Sequence, residues 1–196
     1  PSLQTGYKYK SCCGKMICSG CIHAVEIRDG GVGLCPFCRT PTPTTNEDLI
    51  ERTNKRVELG DVEGIYDMGC GYSEGLAGLL QDRAEALELW NRAAELGHAA
   101  SCGQLGTAYD VGNGVRRDEG KAIHYYKLAA MGGNTDARHN LGYGELQKGN
   151  WDRALKHFIL ASIGGMKASL SGTQEMFKNG DATKEDYTQA LRAYQE

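Results

Sequence analysis

The sequence predicts a mainly α protein: a solenoid of helix-pair repeats preceded by a small N-terminal zinc-binding finger. Three observations predict it. Six of the eight cysteines fall between Cys12 and Cys38, four of them as Cys18-x-x-Cys21 and Cys35-x-x-Cys38. A stretch of Thr and Pro, T-P-T-P-T-T at 40–45, separates them from the rest. Beyond it, related segments recur at spacings of 36 and then 32 residues. Such a period marks stacked structural repeats.

The finger comes first. Two residues between cysteines form a tight turn that brings both thiolates to one metal ion, and two such pairs about fifteen residues apart give the spacing of a zinc site. Buried free cysteines do not cluster in this way. A disulfide framework suits small secreted domains, whereas the following chain reads as an ordinary core-forming helical protein. Thioredoxin-like chemistry expects one pair beside a strand–helix unit. Zinc is the reading these patterns favour. Residues 1–10 read as a loop, 21–27 as a short helix and 28–33 as a turn.

The order C-G-K-M-I-C-S-G-C (Cys13–Cys21), a short helical run, then C-P-F-C-R (Cys35–Arg39) resembles the second half of a RING finger. Lys15 stands where that family carries a histidine ligand. A protonated lysine has no lone pair to offer, so Cys12 takes that ligand's place in an all-cysteine variant, although neighbouring cysteines are sterically awkward on one metal. The cross-braced plan of RING fingers implies one site of Cys12, Cys13, Cys35 and Cys38, with Cys18 and Cys21 as half of a second. The other half is expected before Pro1, in a chain that reads as cut inside the finger. His23 reads as a helix residue rather than a substitute ligand. The resemblance also implies a surface for a ubiquitin-conjugating enzyme at Pro36 and Phe37. Arg39 stands where many RING ligases carry the cation that bridges that enzyme and ubiquitin; the other reading of Arg39 is a solvated arginine.

The expected boundary is the Thr-Pro connector, which disfavours helix, giving a finger and linker at 1–45 and a repeat domain at 46–196. Residues 46–59 read as an amphipathic helix with Leu49, Ile50, Thr53 and Val57 on one side, capped by Thr45 or Asn46 and ended by Gly60. Then A-L-E-L-W-N-R-A-A-E-L-G (86–97), A-I-H-Y-Y-K-L-A-A-M-G-G (122–133) and A-L-K-H-F-I-L-A-S-I-G-G (154–165) align. Each carries an aromatic four residues after its first alanine (Trp90, Tyr126, Phe158), then a small pair, then glycine. The segments before them align too: M-G-C-G-Y-S-E-G (68–75), L-G-T-A-Y-D-V-G (105–112) and L-G-Y-G-E-L-Q-K-G (141–149). Each repeat thus reads as two helices, brought close by small residues, with the aromatic filling the gap to the next pair. With the connector G-N-G-V-R-R-D (112–118), the pattern closely resembles SEL-one-like repeats of the tetratricopeptide class over 61–196. Repeats are expected at about 61–97, 98–133, 134–165 (with a shortened connection) and, more divergent, 166–196. Cys70 and Cys102 read as core residues. His98, His124, His139 and His157 show no ligand spacing. The repeat aromatics read as packing residues, with a peptide-binding groove as the alternative.

Composition narrows the function. The formal net charge is −3, divided as +3 over residues 1–45 and −6 beyond. No long basic run or basic–aromatic interleaving supports nucleic-acid binding, although a zinc-dependent nucleic-acid binder stays among the alternatives. No apolar run approaches the roughly 18 residues of a membrane span, and no signal peptide is visible. Metal-ready thiols fit an intracellular compartment, cytoplasmic or nuclear. No nucleophile elbow, phosphate loop or paired-carboxylate signature appears. Two functions remain in front: a RING-type ubiquitin ligase that acts by recruiting and positioning a loaded conjugating enzyme, with its repeats holding a protein partner, and a non-catalytic zinc-stabilised scaffold.

Overall fold

A computed structural model describes residues 7–28 and 33–195. The turn expected at 28–33 falls largely outside them. The structure divides into two compact units, residues 1–96 and 97–196.

The first unit opens with a hairpin in place of the expected loop. Strands β1 (Tyr7–Lys10) and β2 (Lys15–Cys18) pair antiparallel, Tyr7 opposite Cys18 and Lys10 opposite Lys15. The alternation Tyr-Lys-Tyr-Lys has the two-residue period of a strand, a signal the loop reading passed over. Helix α1 (Ser19–Arg28) follows directly. After the Thr-Pro segment, α2 (Asn46–Glu58) begins where Thr45 accepts a hydrogen bond from the Asp48 amide. Gly60, at φ +71°, turns the chain out of it. Asp61 then caps α3 (Val62–Glu74) through the Gly64 amide, and Asp82 caps α4 (Arg83–Glu95). Ile65, Met68, Leu89 and Ala93 form the core of this unit, with Ile50 and Val57 of α2 packed on it. Thr53 is also buried, but Leu49, expected on the same face, is 39% exposed and lies at the finger end of α2, short of that core.

The second unit is three helix pairs: α5 (Ala99–Val111) with α6 (Glu119–Met131), α7 (Thr135–Gln147) with α8 (Trp151–Ile163), and α9 (Lys167–Asn179) with α10 (Lys184–Gln195). The α5–α6 connection leaves the helix through Gly112 at φ +77° and ends on Asp118, which caps α6. The α7–α8 connection is only Lys148–Asn150, which accounts for the shorter spacing.

The repeat aromatics are buried, as expected of packing residues, but they sit differently from the sequence reading. Trp90, Tyr126 and Phe158 lie on a glycine of the first helix of their own pair: Gly69, Gly106 and Gly142. A Cβ on those glycines would stand 2.7, 2.5 and 2.8 Å from the ring. The aromatic therefore closes the gap within a pair, because only glycine leaves room for a ring at that depth. Phe158 also touches Gly172 of the following pair. Ala99 and Thr135, at the starts of α5 and α7, are seated in the same way, against Gly132 and Gly164 past the ends of α6 and α8.

Candidate metal centre

Four thiols converge at the finger. The turn between β1 and β2 carries Cys12 and Cys13 and is closed by the Cys13 and Gly14 amides donating to the Lys10 carbonyl. A second turn carries Cys35 and Cys38. It is closed by Arg39 N donating to Cys35 O at 2.9 Å, while Cys35 N donates to Thr40 O at 2.8 Å. An isolated bridge between Leu34 and Pro41 ties its base, and Arg39 takes a positive φ of 62° there. Facing each other, the turns place the sulfurs of Cys12, Cys13, Cys35 and Cys38 within 4.8 Å of one another. Cys13 Sγ lies 3.7 Å from Cys35 Sγ, and Cys12 Sγ 3.5 Å from Cys38 Sγ.

A divalent metal held by four thiolates at about 2.3 Å has sulfur–sulfur edges of about 3.8 Å. The quartet fits that donor set. Adjacent Cys12 and Cys13 both reach it because the hairpin turn directs each toward a different cysteine of the facing loop. Cys35 is buried and Cys38 exposed. The Thr40 hydroxyl beside Cys38 favours its thiolate and brings the group down to about 6. Burial pushes Cys12 and Cys13 up.

Cys18 and Cys21 stand apart from the quartet as a pair at the start of α1, sulfurs 2.9 Å apart. The Cys21 amide donates to Cys18 Sγ at 3.3 Å. His23 is exposed on α1. Lys15 lies beyond the turn with its ammonium 5.1 Å from the centre of the Phe37 ring, so it serves as a surface cation. Pro36 is half-buried, Phe37 is 45% exposed, and Arg39 is exposed. Cys102 is buried and Cys70 half-buried, and burial raises both thiols; among the described residues neither joins a metal-ligating group. Two of the repeat histidines have local roles: His98 accepts from the Ser101 amide at the start of α5, and His139 meets Ser169 Oγ at 2.8 Å.

The sequence reading missed what surrounds the quartet. Arg52 of α2 is held by Asp48 through two contacts of 2.6 Å and donates to the Pro41 carbonyl at 2.6 Å. One turn on, Arg56 pairs with Asp61 and donates to the Tyr9 hydroxyl at 3.3 Å. Desolvation pushes the Tyr9 phenol up to about 12. For Asp61, burial alone would raise the carboxyl; the Arg56 guanidinium and the Gly64 amide outweigh it and leave it below its usual value.

The helix pairs with their glycine–aromatic seats define a helical-repeat protein. The Sel1 repeat model matches residues 62–98, 99–134 and 169–195, just over half of the chain. The chain belongs to the Sel1 repeat family. It is similar over 76% of its length to a Sel1 repeat protein from Oxalobacter formigenes, at 30% identity and a TM-score of 0.67, covering 62% of that chain. It also resembles a protective antigen of uropathogenic Escherichia coli with an SLR fold, at 28% identity and a TM-score of 0.65, over 74% of this chain and 32% of that one. Among curated relatives, 74 residues are 38% identical to the chitin synthase regulator SKT5 of Saccharomyces cerevisiae, covering 37% of this chain and 11% of that protein. A further 68-residue match, at 34%, is to chitin synthase regulatory factor 3 of Schizosaccharomyces pombe, over 35% of this chain and 7% of that protein. The chain thus spans about a tenth of the curated relatives it matches. Among the described residues, no helix is long and apolar enough to cross a membrane.

Proposed function

We propose that this chain is a zinc-stabilised scaffold: a finger folded around zinc at Cys12, Cys13, Cys35 and Cys38, set on Sel1 repeats that hold a protein partner. The observation that carries the metal reading is the convergence of four thiols from two separate turns. Zinc there is structural, with all four positions filled by protein and none open for a reacting water. Cys18 and Cys21 are a two-ligand half-site within the same finger. The repeats supply the binding surface, since stacked helix pairs present extended faces to partners. The curated relatives, named as regulators, point the same way. The finger at 1–45 and the repeats at 46–196 act as successive modules of an intracellular protein.

A second reading rests on Phe37. An apolar ring 45% exposed beside the thiol cluster, with Met16 of β2 also 44% exposed, is the kind of surface a partner covers. In this reading the finger recruits a ubiquitin-conjugating enzyme through Pro36 and Phe37, and Arg39 steadies the ubiquitin thioester.

Elemental analysis of the purified chain tests the metal. About one zinc per chain, lost on replacing Cys35 by Ser, is the expected result; no zinc refutes the finger. Partner capture separates the functions. The scaffold predicts partners retained by residues 61–196 and no conjugating enzyme on the finger. The ligase predicts ubiquitin discharge that falls in Phe37→Ala and Arg39→Ala.

A further inference from the structure

The two ligand-bearing turns are held by the same helix. Arg52 on α2 donates to Pro41 O at the base of the Cys35–Cys38 turn. Arg56, four residues on and thus one helical turn away along the same face, reaches the hairpin that carries Cys12 and Cys13. It bonds Tyr9 ahead of the turn and lies so close over Gly14 behind it that a Cβ there would collide with the guanidinium. Each arginine is fixed by its own carboxylate, Asp48 for Arg52 and Asp61 for Arg56. Both side chains are mostly covered: 22% of Arg52 and 21% of Arg56 are exposed, against 13% of Asp61. Asp61 in turn ties this arrangement to the start of α3 through the Gly64 amide at 3.2 Å.

We infer that α2 sets the metal site: Arg52 and Arg56 are positioning residues that hold the two halves of the thiol quartet at the separation a metal needs. The inference rests on the metal reading above. Each half contributes two sulfurs, and the turn closed on the Lys10 carbonyl carries the adjacent Cys12 and Cys13 as one piece with the hairpin. What the hairpin and the facing loop do not fix is their distance from one another. Two rigid, bidentate-capable guanidiniums spaced by one helical turn supply that constraint. Groups that orient metal ligands from outside the coordination sphere contribute roughly 10–100-fold to metal affinity.

The test is cobalt(II) binding to the full chain, followed by thiolate–cobalt absorption, with affinity taken from competition against a chelator of known strength. Arg56→Ala and Arg52→Ala are expected to bind about 10–100-fold more weakly, with the melting of the second unit, residues 97–196, unchanged; Arg56→Ala also leaves the covered Asp61 without its cation and so loses local stability in the first unit. Exposed Lys55→Ala on the same helix serves as the control. Arg56→Lys keeps the charge and stem but cannot fork between Tyr9 and Asp61, and is expected to recover stability without recovering affinity. If both alanine variants bind within twofold of Lys55→Ala, the positioning role is overturned while the metal reading stands. If the unaltered chain gives no cobalt–thiolate absorption, both fall. A second measurement needs no variant. By reciprocity, stripping metal from the wild-type chain should speed hydrogen exchange at the Gly64 amide; an unchanged rate overturns the inference.

Discussion

Replacing Gly106 by alanine sets two known effects against each other. Inside a helix, alanine is favoured over glycine by about 1 kcal/mol, so on propensity alone the variant gains stability. The structure opposes that gain. The new Cβ would stand 2.5 Å from Tyr126 Cδ1, 2.7 Å from Cε1 and 3.1 Å from Cγ, where carbon atoms ordinarily rest about 3.5–4.0 Å apart. The ring must retreat by about 1 Å. Tyr126 is only 4% exposed, and its hydroxyl sits 3.4 Å from both Thr107 Oγ1 and Asp110 Oδ2, so it has no open direction. Overpacking of this kind costs about 1–3 kcal/mol, which leaves a net loss of about 1 kcal/mol. In a unit of about a hundred residues, that lowers the melting midpoint by about 5 °C. Gly144→Ala is the internal control, because nothing lies within 4 Å of a Cβ at Gly144; it is expected to stabilise by up to about 1 kcal/mol. Thermal and urea unfolding followed by circular dichroism give both values. A Gly106→Ala midpoint that rises alongside that of Gly144→Ala would refute the seat as a packing constraint. A Gly106→Ala, Tyr126→Leu double variant should recover most of the loss.

Three further outcomes follow from the same structure. Burial holds His139 and His157 below their usual pKa of 6.5, so the unfolded chain binds protons there more readily than the folded one. Their contribution is complete above pH 6.5 and is lost as pH falls from 6.5 through the lower folded values; on acidification from pH 7.5 the melting midpoint of the wild-type chain should fall further than that of His157→Gln. Thr45→Ala removes the side chain that caps α2 and should cost about 1 kcal/mol, read as faster hydrogen exchange of the Asp48 amide. The Lys148–Glu119 ion pair, at 2.8 Å, is exposed on both sides, so Lys148→Ala should leave the midpoint unchanged; a measurable shift would show the pair tying the repeats together.

The repeats were legible because their signal is local and recurrent: an alanine, an aromatic four residues on, a small pair and a closing glycine, three times over. Even the divergent last copy could be placed, and it forms α9 and α10. The partner of each aromatic was not legible. Gly69, Gly106 and Gly142 could be seen in the aligned segments, but which helix pair they closed depends on three-dimensional approach. The finger's cysteines stood out by their spacing, but spacing alone sets Cys18 and Cys21 with Cys35 and Cys38; the grouping of Cys12 and Cys13 with Cys35 and Cys38 came from the RING resemblance. Their support was not legible. Arg56 and Tyr9 are 47 residues apart, Arg56 and Asp61 are five apart across a helix end, and neither separation belongs to a helical or strand period. The strand at 7–10 did carry a readable alternation, and only its brevity hid it.

The short α7–α8 connection has a consequence for anyone who recombines these repeats. Helices α4 and α6 start on aspartates whose side chains accept first-turn amides, and before α10 Thr183 and Asp186 bond each other reciprocally. The connection before α8 has no residue to spare for this: Asn150 turns instead to Glu145 of the preceding helix. A splice made here would divide a helix pair at a helix start that has no side-chain cap, where the first turn frays readily. The longer connection at 112–118 brings its own cap and is the better place to cut.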